Sequence, residues 1–385
     1  MRFEFATATR IIFGPGTVGE IAPLSAEMGK RACVVTGRTV ERAAQLLERL
    51  SEHGIEYVTF SVVEEPTTVL AKAGVELARR QRCDLVLSFG GGSVVDTGKV
   101  IAAMLTNSGE LEDYLEVVGA GKPLAQSSAP HIAIPTTAGT GAEVTRNSVL
   151  SVPEHKVKVS MRSPFMLPHL AVVDPELTHS MPASVTASTG LDALTQLIEV
   201  YVSDKANPLT DGICREGLKR AGRSLRRACE DGADSSARED MALSSLFSGL
   251  GLANAKLGAV HGFAGPLGGM LGAPHGVICA RLLPHVMQAN VRALQDRGTN
   301  SAALARFDEV ARILTGKTTA TAADGVAWIQ NLCAVLKVPS LAGFGFKEQD
   351  FDAAIAKAQK SSSMKGNPVR LTDYELLEVL SQANA

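Results

Sequence analysis

Asp84-Leu-Val-Leu-Ser-Phe-Gly-Gly-Gly-Ser-Val-Val-Asp-Thr-Gly-Lys99 is the stretch that decides the fold of this chain. Its apolar run predicts a buried strand, the three glycines predict a tight turn, and the residues beyond them predict a helix. Uncovered backbone amides at the start of a helix bind anions, and the helix dipole strengthens that binding. The residues of this segment predicted to bind the ligand are Gly90, Gly91, Gly92, Ser93 and Asp96.

A tight turn without a ligand is the alternative interpretation, since the motif matches neither the G-x-G-x-x-G fingerprint nor the P-loop. Three consecutive glycines are a costly way to make such a turn, because glycine loses the most backbone freedom on folding. Ser93 and Asp96 also have capping-box spacing, which predicts that a helix begins here. Phosphate binding is therefore the favoured hypothesis.

Strand and helix patterns alternate around this motif up to about residue 180. The predicted strands are 31–36, 56–60, 84–89, 131–135 and 170–174, and the first predicted helices are 40–53 and 68–82. Such alternation indicates a parallel sheet with right-handed crossovers. Beyond residue 182 only helices are predicted, near 183–203, 207–230, 237–257, 283–297, 301–315, 320–336 and 348–360. The expected fold is an α/β, Rossmann-like dinucleotide-binding domain over 1–180 followed by an all-helical domain over 181–385.

A second glycine-rich loop, residues 135–145, also follows a predicted strand. Its hydroxyls could bond a phosphate or a ribose, and the candidates are Thr136, Thr137 and Thr140. Taken alone, an ordinary loop is an equal interpretation. Two such loops at the ends of neighbouring strands nevertheless suit a dinucleotide bound in the crevice of an open sheet.

The composition argues against several classes of function. A formal net charge of -2 over 385 residues gives no electrostatic basis for binding nucleic acid or an anionic membrane. The six cysteines form no Cys-x-x-Cys pair, which argues against disulfides and against a thiolate metal site, and favours a reducing cytoplasm. The N-terminus lacks the apolar core of a signal peptide, and charges and prolines interrupt the apolar region 247–287, so no membrane span is expected.

Three residues suggest a divalent metal site. His261 and His275 lie in the most glycine-rich stretch of the chain, and Asp192 lies upstream on a predicted apolar helix. One carboxylate and two imidazoles can hold a metal and leave a position for substrate. Gln196 follows Asp192 by four residues and so shares its helix face. Each histidine alone is more often an ordinary hydrogen-bonded residue, so the residues alone leave both interpretations open.

The chain resembles the iron-containing (group III) alcohol dehydrogenases almost from end to end. The motifs that carry the resemblance include Gly90-Gly-Gly-Ser-Val-Val-Asp96, Pro135-Thr-Thr-Ala-Gly-Thr-Gly141, Gly190-Leu-Asp-Ala-Leu194 and Pro274-His-Gly276. The resemblance implies a dehydroquinate synthase-like fold whose helical domain binds metal and substrate. It also implies NAD(P)-dependent interconversion of an alcohol and an aldehyde or ketone by metal-assisted hydride transfer, in a cytoplasmic homodimer.

Asp192, His261 and His275 match three of the four metal ligands of that family and are the expected catalytic residues. The fourth ligand is usually histidine, and Gln196 stands at its position as a weaker expected ligand. Zinc(II) therefore competes with iron(II) as the expected metal. Gly265 replaces a second family histidine near the nicotinamide, which excludes a side-chain proton relay from that position.

Three alternatives to a metal-dependent dehydrogenase stay open from the sequence. One is a metal-independent reductase of the maleylacetate reductase type, in which Gln196 would mark the loss of the metal. Another is a dehydroquinate-synthase-like lyase, which needs a denser set of basic residues than this chain has. The third is a relative that binds nucleotide without catalysis.

Cofactor choice depends on the end of the first predicted strand. Gly37 stands where many relatives have an aspartate that repels a 2′-phosphate, and Arg38 follows it, so NADP is expected beside NAD. Lys158 matches a lysine common in the family and is the last expected cofactor contact. Arg146 and Asn147 are the expected substrate contacts, and an arginine there could receive a carboxylate or phosphonate.

Overall fold

A computed structural model describes residues 2–155 and 157–385. Met1 and Lys156 lie outside the described residues. The chain forms two compact units. The sheet unit comprises residues 6–137 and 141–179, and the helical unit comprises residues 2–5, 138–140 and 180–385. Within the described residues, no helix is both long enough and apolar enough to cross a membrane.

The sheet unit is built on six parallel strands in the order β1-β8-β5-β4-β2-β3. These strands are β1 (Arg10–Phe13), β2 (Arg31–Thr36), β3 (Glu56–Ser61), β4 (Leu85–Gly90), β5 (His131–Pro135) and β8 (Leu170–Val173). A separate antiparallel hairpin joins β6 (Asn147–Val152) to β7 (Val157–Arg162). The chain adds β3 on one side of β2 and then returns to add β4 on the other. The carboxyl ends of β2 and β4 therefore flank a topological switch point, where open α/β sheets bind ligands.

The helices of this unit are α1 (Ile21–Ala26), α2 (Ala44–Glu52), α3 (Thr68–Arg80) and α4 (Gly92–Thr106). The Thr67 hydroxyl accepts a hydrogen bond from Leu70 N and so caps α3. The central helix α4 is buried along most of its length, because it packs on β4 and β5. Its start is therefore fixed at the carboxyl end of β4.

The helical unit consists of nine α-helices within the described residues. They are α5 (Ala183–Val202), α6 (Pro208–Glu230), α7 (Ser235–Asn254), α8 (Ala259–Leu271), α9 (His275–Arg297), α10 (Ser301–Thr315), α11 (Ala322–Val335), α12 (Phe351–Lys360) and α13 (Asp373–Asn384). Asn207 and Asp234 cap the starts of α6 and α7 with their side chains. One continuous apolar core joins these helices, and α5 is buried over most of its length.

The expected fold class is confirmed, with two local differences. The glycine-rich stretch 259–271 is helix α8, although no helix was predicted there, and α9 begins at His275 rather than near 283. Glycine lowers helix propensity, and Pro266 and Pro284 lie inside these helices, so the local signals disfavour a helix. Burial in the common core overrides them. The run 155–162 was expected to form a strand, as β7 does, but the strands β1 and β6 and the pairing of β6 with β7 were not predicted.

Candidate metal centre and nucleotide loops

Four side chains from three helices of the helical unit converge on one point. Asp192 comes from α5, His261 from α8, and His275 and Cys279 from α9. One donor atom from each side chain lies within 4.8 Å of the other three. His261 Nε2 lies 3.3 Å from Asp192 Oδ1, and Cys279 Sγ lies 3.7 Å from His261 Nε2 and 3.6 Å from His275 Nε2. The arrangement supplies one carboxylate, two imidazoles and one thiol.

Burial shapes the electrostatics of this cluster. Asp192 and Cys279 are buried, whereas the His275 side chain is 35% exposed. Burial alone would raise the pKa of Asp192, but the hydrogen bond with His261 and the charge of His275 lower it. Burial opposes the charged form of His261, yet Cys279, Asp192 and Glu199 raise its pKa well above the ordinary value. The cluster therefore favours positive charge at its centre.

Glu199 anchors His261, a role that the sequence analysis missed. His261 Nδ1 lies 2.7 Å from Glu199 Oε2, and the backbone N of Val260 donates to Glu199 Oε1 at 2.7 Å. Glu199 is buried on α5, seven residues after Asp192. A carboxylate on Nδ1 keeps the imidazole proton there and leaves Nε2 to face the cluster. This contact depends on the packing of α5 against α8, which no local sequence pattern indicates.

Gln196 lies one turn after Asp192 and is buried. Its Nε2 donates to Asp192 Oδ2 at 3.4 Å. Its Oε1 is a buried acceptor with no hydrogen-bond partner among the described residues. The amide group thus orients the second carboxylate oxygen of Asp192.

Cys279 was not predicted, because the lack of a Cys-x-x-Cys pair argued against a thiolate metal site. The structure nevertheless places Cys279 within the cluster. His275 and Cys279 are four residues apart in α9 and so share one helix face. The signal that could have found Cys279 is this four-residue spacing, but it depends on α9 beginning at His275.

In the sheet unit, the glycine-rich turn leads directly into α4. Gly91 is the N-cap residue of α4, which begins at Gly92. A Cβ atom on Gly91 would lie 3.2 Å from Thr137 Cγ2, so the two glycine-rich loops meet here. A Cβ atom on Gly98 would lie 1.8 Å from Ser88 Oγ, which shows how closely α4 packs on β4. Close helix–strand packing of this kind is a role of glycine in dinucleotide-binding motifs.

The expected capping box between Ser93 and Asp96 was wrong. Asp96 Oδ2 instead accepts a hydrogen bond from Val149 N at 2.9 Å, and its other oxygen lies 3.7 Å from Lys99 Nζ. With Gly91 as the N-cap, Ser93 lies inside the first turn of α4. Asp96 therefore ties α4 to the β6–β7 hairpin.

Other predicted cofactor and substrate residues each have a partner in the protein. Arg38 is exposed and donates to Val63 O at 3.3 Å, and Lys158 pairs with Glu65. The backbone O of Asn147 accepts a hydrogen bond from the buried Lys99 Nζ at 2.9 Å.

The second glycine-rich loop is divided between the units. Thr136 and Thr137 belong to the sheet unit, and Thr136 N donates to Gly90 O at 2.9 Å. Thr140 belongs to the helical unit with Ala138 and Gly139. The buried acid of this loop is Glu143, and desolvation raises its pKa to about 7.

Known proteins match this chain over nearly its whole length. The family model for iron-containing alcohol dehydrogenase matches residues 8–175, and the model for the C-terminal part of the Fe-containing alcohol dehydrogenase family matches residues 186–384. A 1,3-propanediol dehydrogenase from Klebsiella pneumoniae is 36% identical over 390 residues, covering 99% of this chain and 98% of the relative.

Solved structures agree with this relationship. A crystal structure of a 1,3-propanediol oxidoreductase matches with a TM-score of 0.91 and 34% identity, covering 100% of both chains. A sulfoacetaldehyde reductase from Bifidobacterium kashiwanohense, solved in complex with NAD+, matches with a TM-score of 0.88 and 28% identity over 100% of this chain and 99% of that one. The chain thus belongs to the iron-containing alcohol dehydrogenase family and is an NAD(P)- and metal-dependent oxidoreductase that interconverts alcohols with aldehydes or ketones.

Proposed function

We propose that Asp192, His261 and His275 would hold the divalent metal of this oxidoreductase and that the alcohol or aldehyde substrate reacts at this cluster. The convergence of one carboxylate and two imidazoles in a single cluster carries this proposal. The donor set suits iron(II) or zinc(II). Such a metal supplies Lewis-acid stabilisation of the alkoxide or polarises the carbonyl.

The surrounding residues hold the donors and determine where the proton leaves. Glu199 keeps the proton of His261 on Nδ1, which directs Nε2 to the metal. The partial exposure of His275 supports an approach of the substrate from that side. Gly265, one turn after His261, has no side chain that could relay a proton. Without a side-chain relay at this position, the alcohol proton would have to leave through water or through a bound cofactor.

The sheet unit is proposed to be the dinucleotide-binding domain, with the cofactor at the carboxyl ends of β2 and β4. The proposed contacts are Gly37, Arg38, Gly90, Gly91, Gly92, Ser93, Asp96, Thr136, Thr137, Thr140 and Lys158. Gly37 offers no carboxylate to repel a 2′-phosphate, so NADPH should be used with a kcat/KM comparable to that for NADH. Arg38→Ala should lower kcat/KM for NADPH alone, and strict use of NADH would contradict the assignment.

The proposed substrates are primary alcohols and their aldehydes. A 1,3-propanediol dehydrogenase and a long-chain-alcohol dehydrogenase, at 36% and 34% identity, support this class, and their different names set no chain length. Arg146 and Asn147 are proposed to contact the substrate, and an acidic aldehyde would be the partner of the arginine. Unchanged kcat/KM for an acidic aldehyde in Arg146→Ala would exclude that contact.

The enzyme is further proposed to act as a cytoplasmic homodimer. The strand β1 lies at an edge of the sheet, and edge strands are templates for pairing with a second chain. Light scattering should give twice the mass of the 40.4 kDa chain, and a monomer would contradict the proposal.

Oxidation of NADH and NADPH with a panel of neutral and acidic aldehydes tests the function directly. The protein would be assayed as isolated, after chelation, and after reloading with zinc(II) or iron(II). Activity should vanish on chelation and return with metal. Turnover that is indifferent to chelation would contradict metal-assisted chemistry at Asp192, His261 and His275.

A further inference from the structure

Cys279 adds a fourth donor to the cluster of Asp192, His261 and His275. We propose that its thiolate is the fourth protein ligand of the metal, in place of the imidazole that Gln196 cannot supply, and that the site therefore prefers zinc(II) to iron(II). The inference rests on the metal site proposed above. It adds the identity of one ligand and of the metal.

Distances within the cluster fit four ligands of one ion. Tetrahedral zinc has bonds of about 2.0–2.2 Å to nitrogen and oxygen and about 2.3 Å to sulfur, which separates nitrogen from oxygen by about 3.3 Å and sulfur from nitrogen by about 3.6 Å. His261 Nε2 lies 3.3 Å from Asp192 Oδ1, and Cys279 Sγ lies 3.7 and 3.6 Å from the two imidazole nitrogens. The separation of 3.9 Å between His275 Nε2 and Asp192 Oδ1 exceeds the ideal by about 0.6 Å, and all four donor atoms lie within 4.8 Å of one another.

The start of α9 aims this sulfur into the cluster. His275 is the first residue of the helix, and Cys279 lies one turn later on the same face. Cys333, also buried in the helical unit, shows the ordinary alternative, because its thiol donates to the backbone O of Ala280 at 3.4 Å. Cys279 instead faces two imidazole nitrogens and is fully buried.

In this arrangement, Gln196 positions a metal ligand and is not a ligand itself. Its Nε2 donates to Asp192 Oδ2 while Asp192 Oδ1 faces the histidines, so the amide positions a ligand. The number of protein donors stays at four because Cys279 replaces the missing histidine. Catalytic zinc can expand from four to five ligands, so four protein donors would still leave room for a substrate oxygen. Thiolate is a softer ligand than imidazole, and soft sulfur ligands favour zinc over iron(II).

Cobalt(II) is the probe for this ligand, because a thiolate bound to cobalt(II) gives an intense charge-transfer band in the near ultraviolet. Metal-free full-length protein should bind one equivalent of cobalt(II) and develop this band. The matched control Cys333→Ala should retain the band, and Cys279→Ala should lose it. The variant Cys279→Ala should also weaken zinc binding by more than the roughly 10- to 100-fold that the loss of an outer partner of a ligand costs.

A ligand exchange sharpens the assignment of the metal. The double variant Gln196→His/Cys279→Ala removes the thiolate and supplies an imidazole one turn after Asp192. It should bind zinc(II) more tightly than Cys279→Ala does, without the charge-transfer band. Its preference for zinc(II) over iron(II), measured by competition, should be lower than that of the wild type.

The outcomes separate this inference from the proposed function. One equivalent of cobalt(II) bound by the wild type without a charge-transfer band would overturn the ligand assignment and leave the metal site intact. That spectrum decides the matter even if Cys279→Ala does not fold. Failure of the wild type to bind cobalt(II), zinc(II) or iron(II) would overturn the metal site itself. A band that persists in Cys279→Ala would assign the sulfur to another cysteine.

Discussion

The phosphate loop (residues 84–99) and the histidine region (residues 258–279) are both rich in glycine, but glycine has a different structural role in each. In the phosphate loop, the glycines end β4, form the turn and begin α4. In the histidine region, the glycines lie inside or at the ends of two helices, and other segments approach Gly258, Gly262 and Gly276 closely. A Cβ atom on Gly276 would lie 2.2 Å from Ser188 O, and one on Gly258 would lie 2.9 Å from Glu199 Oε1.

The comparison shows that the role of a glycine-rich stretch can be predicted from the sequence only where the adjacent residues account for the glycines. The phosphate loop is explained by the strand before it and the helix after it. Gly258 and Gly276 of the histidine region are explained by their contacts with α5, which is distant in sequence. Substituting a glycine in either region therefore tests whether a close contact with another segment requires the absence of a side chain there.

The largest effect is expected for Gly276→Ala. Its Cβ atom would meet the backbone of Ser188, which cannot rotate away as a side chain can, so α9 must shift from α5 and carry His275 with it. The free energy of unfolding should fall by about 3 kcal/mol, and metal binding should weaken as well. Chemical denaturation and a zinc titration would measure both. Wild-type stability would show that α9 does not pack on α5 at this point.

A smaller effect, confined to the affinity for the metal, is expected for Glu199→Gln. The amide keeps the size of the side chain but loses the charge that faces His261 Nδ1 and the backbone N of Val260. Zinc affinity should fall about 10- to 100-fold, which is about 1.4–2.7 kcal/mol. Competition with a chelator of known affinity measures the change, and Gln196→Ala gives the comparison for the partner of Asp192. Unchanged affinity in Glu199→Gln would remove Glu199 from the support of the metal.

The sequence predicted those parts of the molecule whose structure is determined locally. The strand, glycines and helix of the phosphate loop are consecutive, and Asp192, His261 and His275 are recognisable from their own motifs. Glu199 and Cys279 could not be placed, because their roles depend on how α5, α8 and α9 pack together. Helix α8 and the first turns of α9 were not predicted, because their glycines and prolines oppose helix formation locally, while burial in the shared core favours it.

The corresponding test in the phosphate loop is Gly98→Ala, with a moderate expected effect. The new Cβ atom would collide with Ser88 Oγ, which is 2.8 Å from His131 Nε2 beneath α4. Because a side chain can yield more than backbone can, the expected loss is about 1–2 kcal/mol, smaller than for Gly276→Ala. In a double-mutant cycle, Gly98→Ala with Ser88→Ala should cost less than the sum of the single variants. Additive costs would mean that the strain lies elsewhere in the contact between helix and sheet.

The smallest effect is expected for Gly265→Ala in α8, which separates the two uses of glycine within one helix. Among the described residues, apart from its chain neighbours and its own helix, nothing lies within 4 Å of a Cβ atom at this position. Alanine favours a helix over glycine by about 1 kcal/mol, but the following Pro266 disfavours helical backbone at a residue that carries a Cβ atom. These opposing terms should leave the free energy of unfolding within about 1 kcal/mol of the wild type, with zinc affinity unchanged. A gain in stability measured by denaturation would show that helix propensity prevails, and a small loss would show that the proline does. A loss as large as that of Gly276→Ala would contradict the open space beside Gly265 and extend the close packing of the histidine region along the whole of α8.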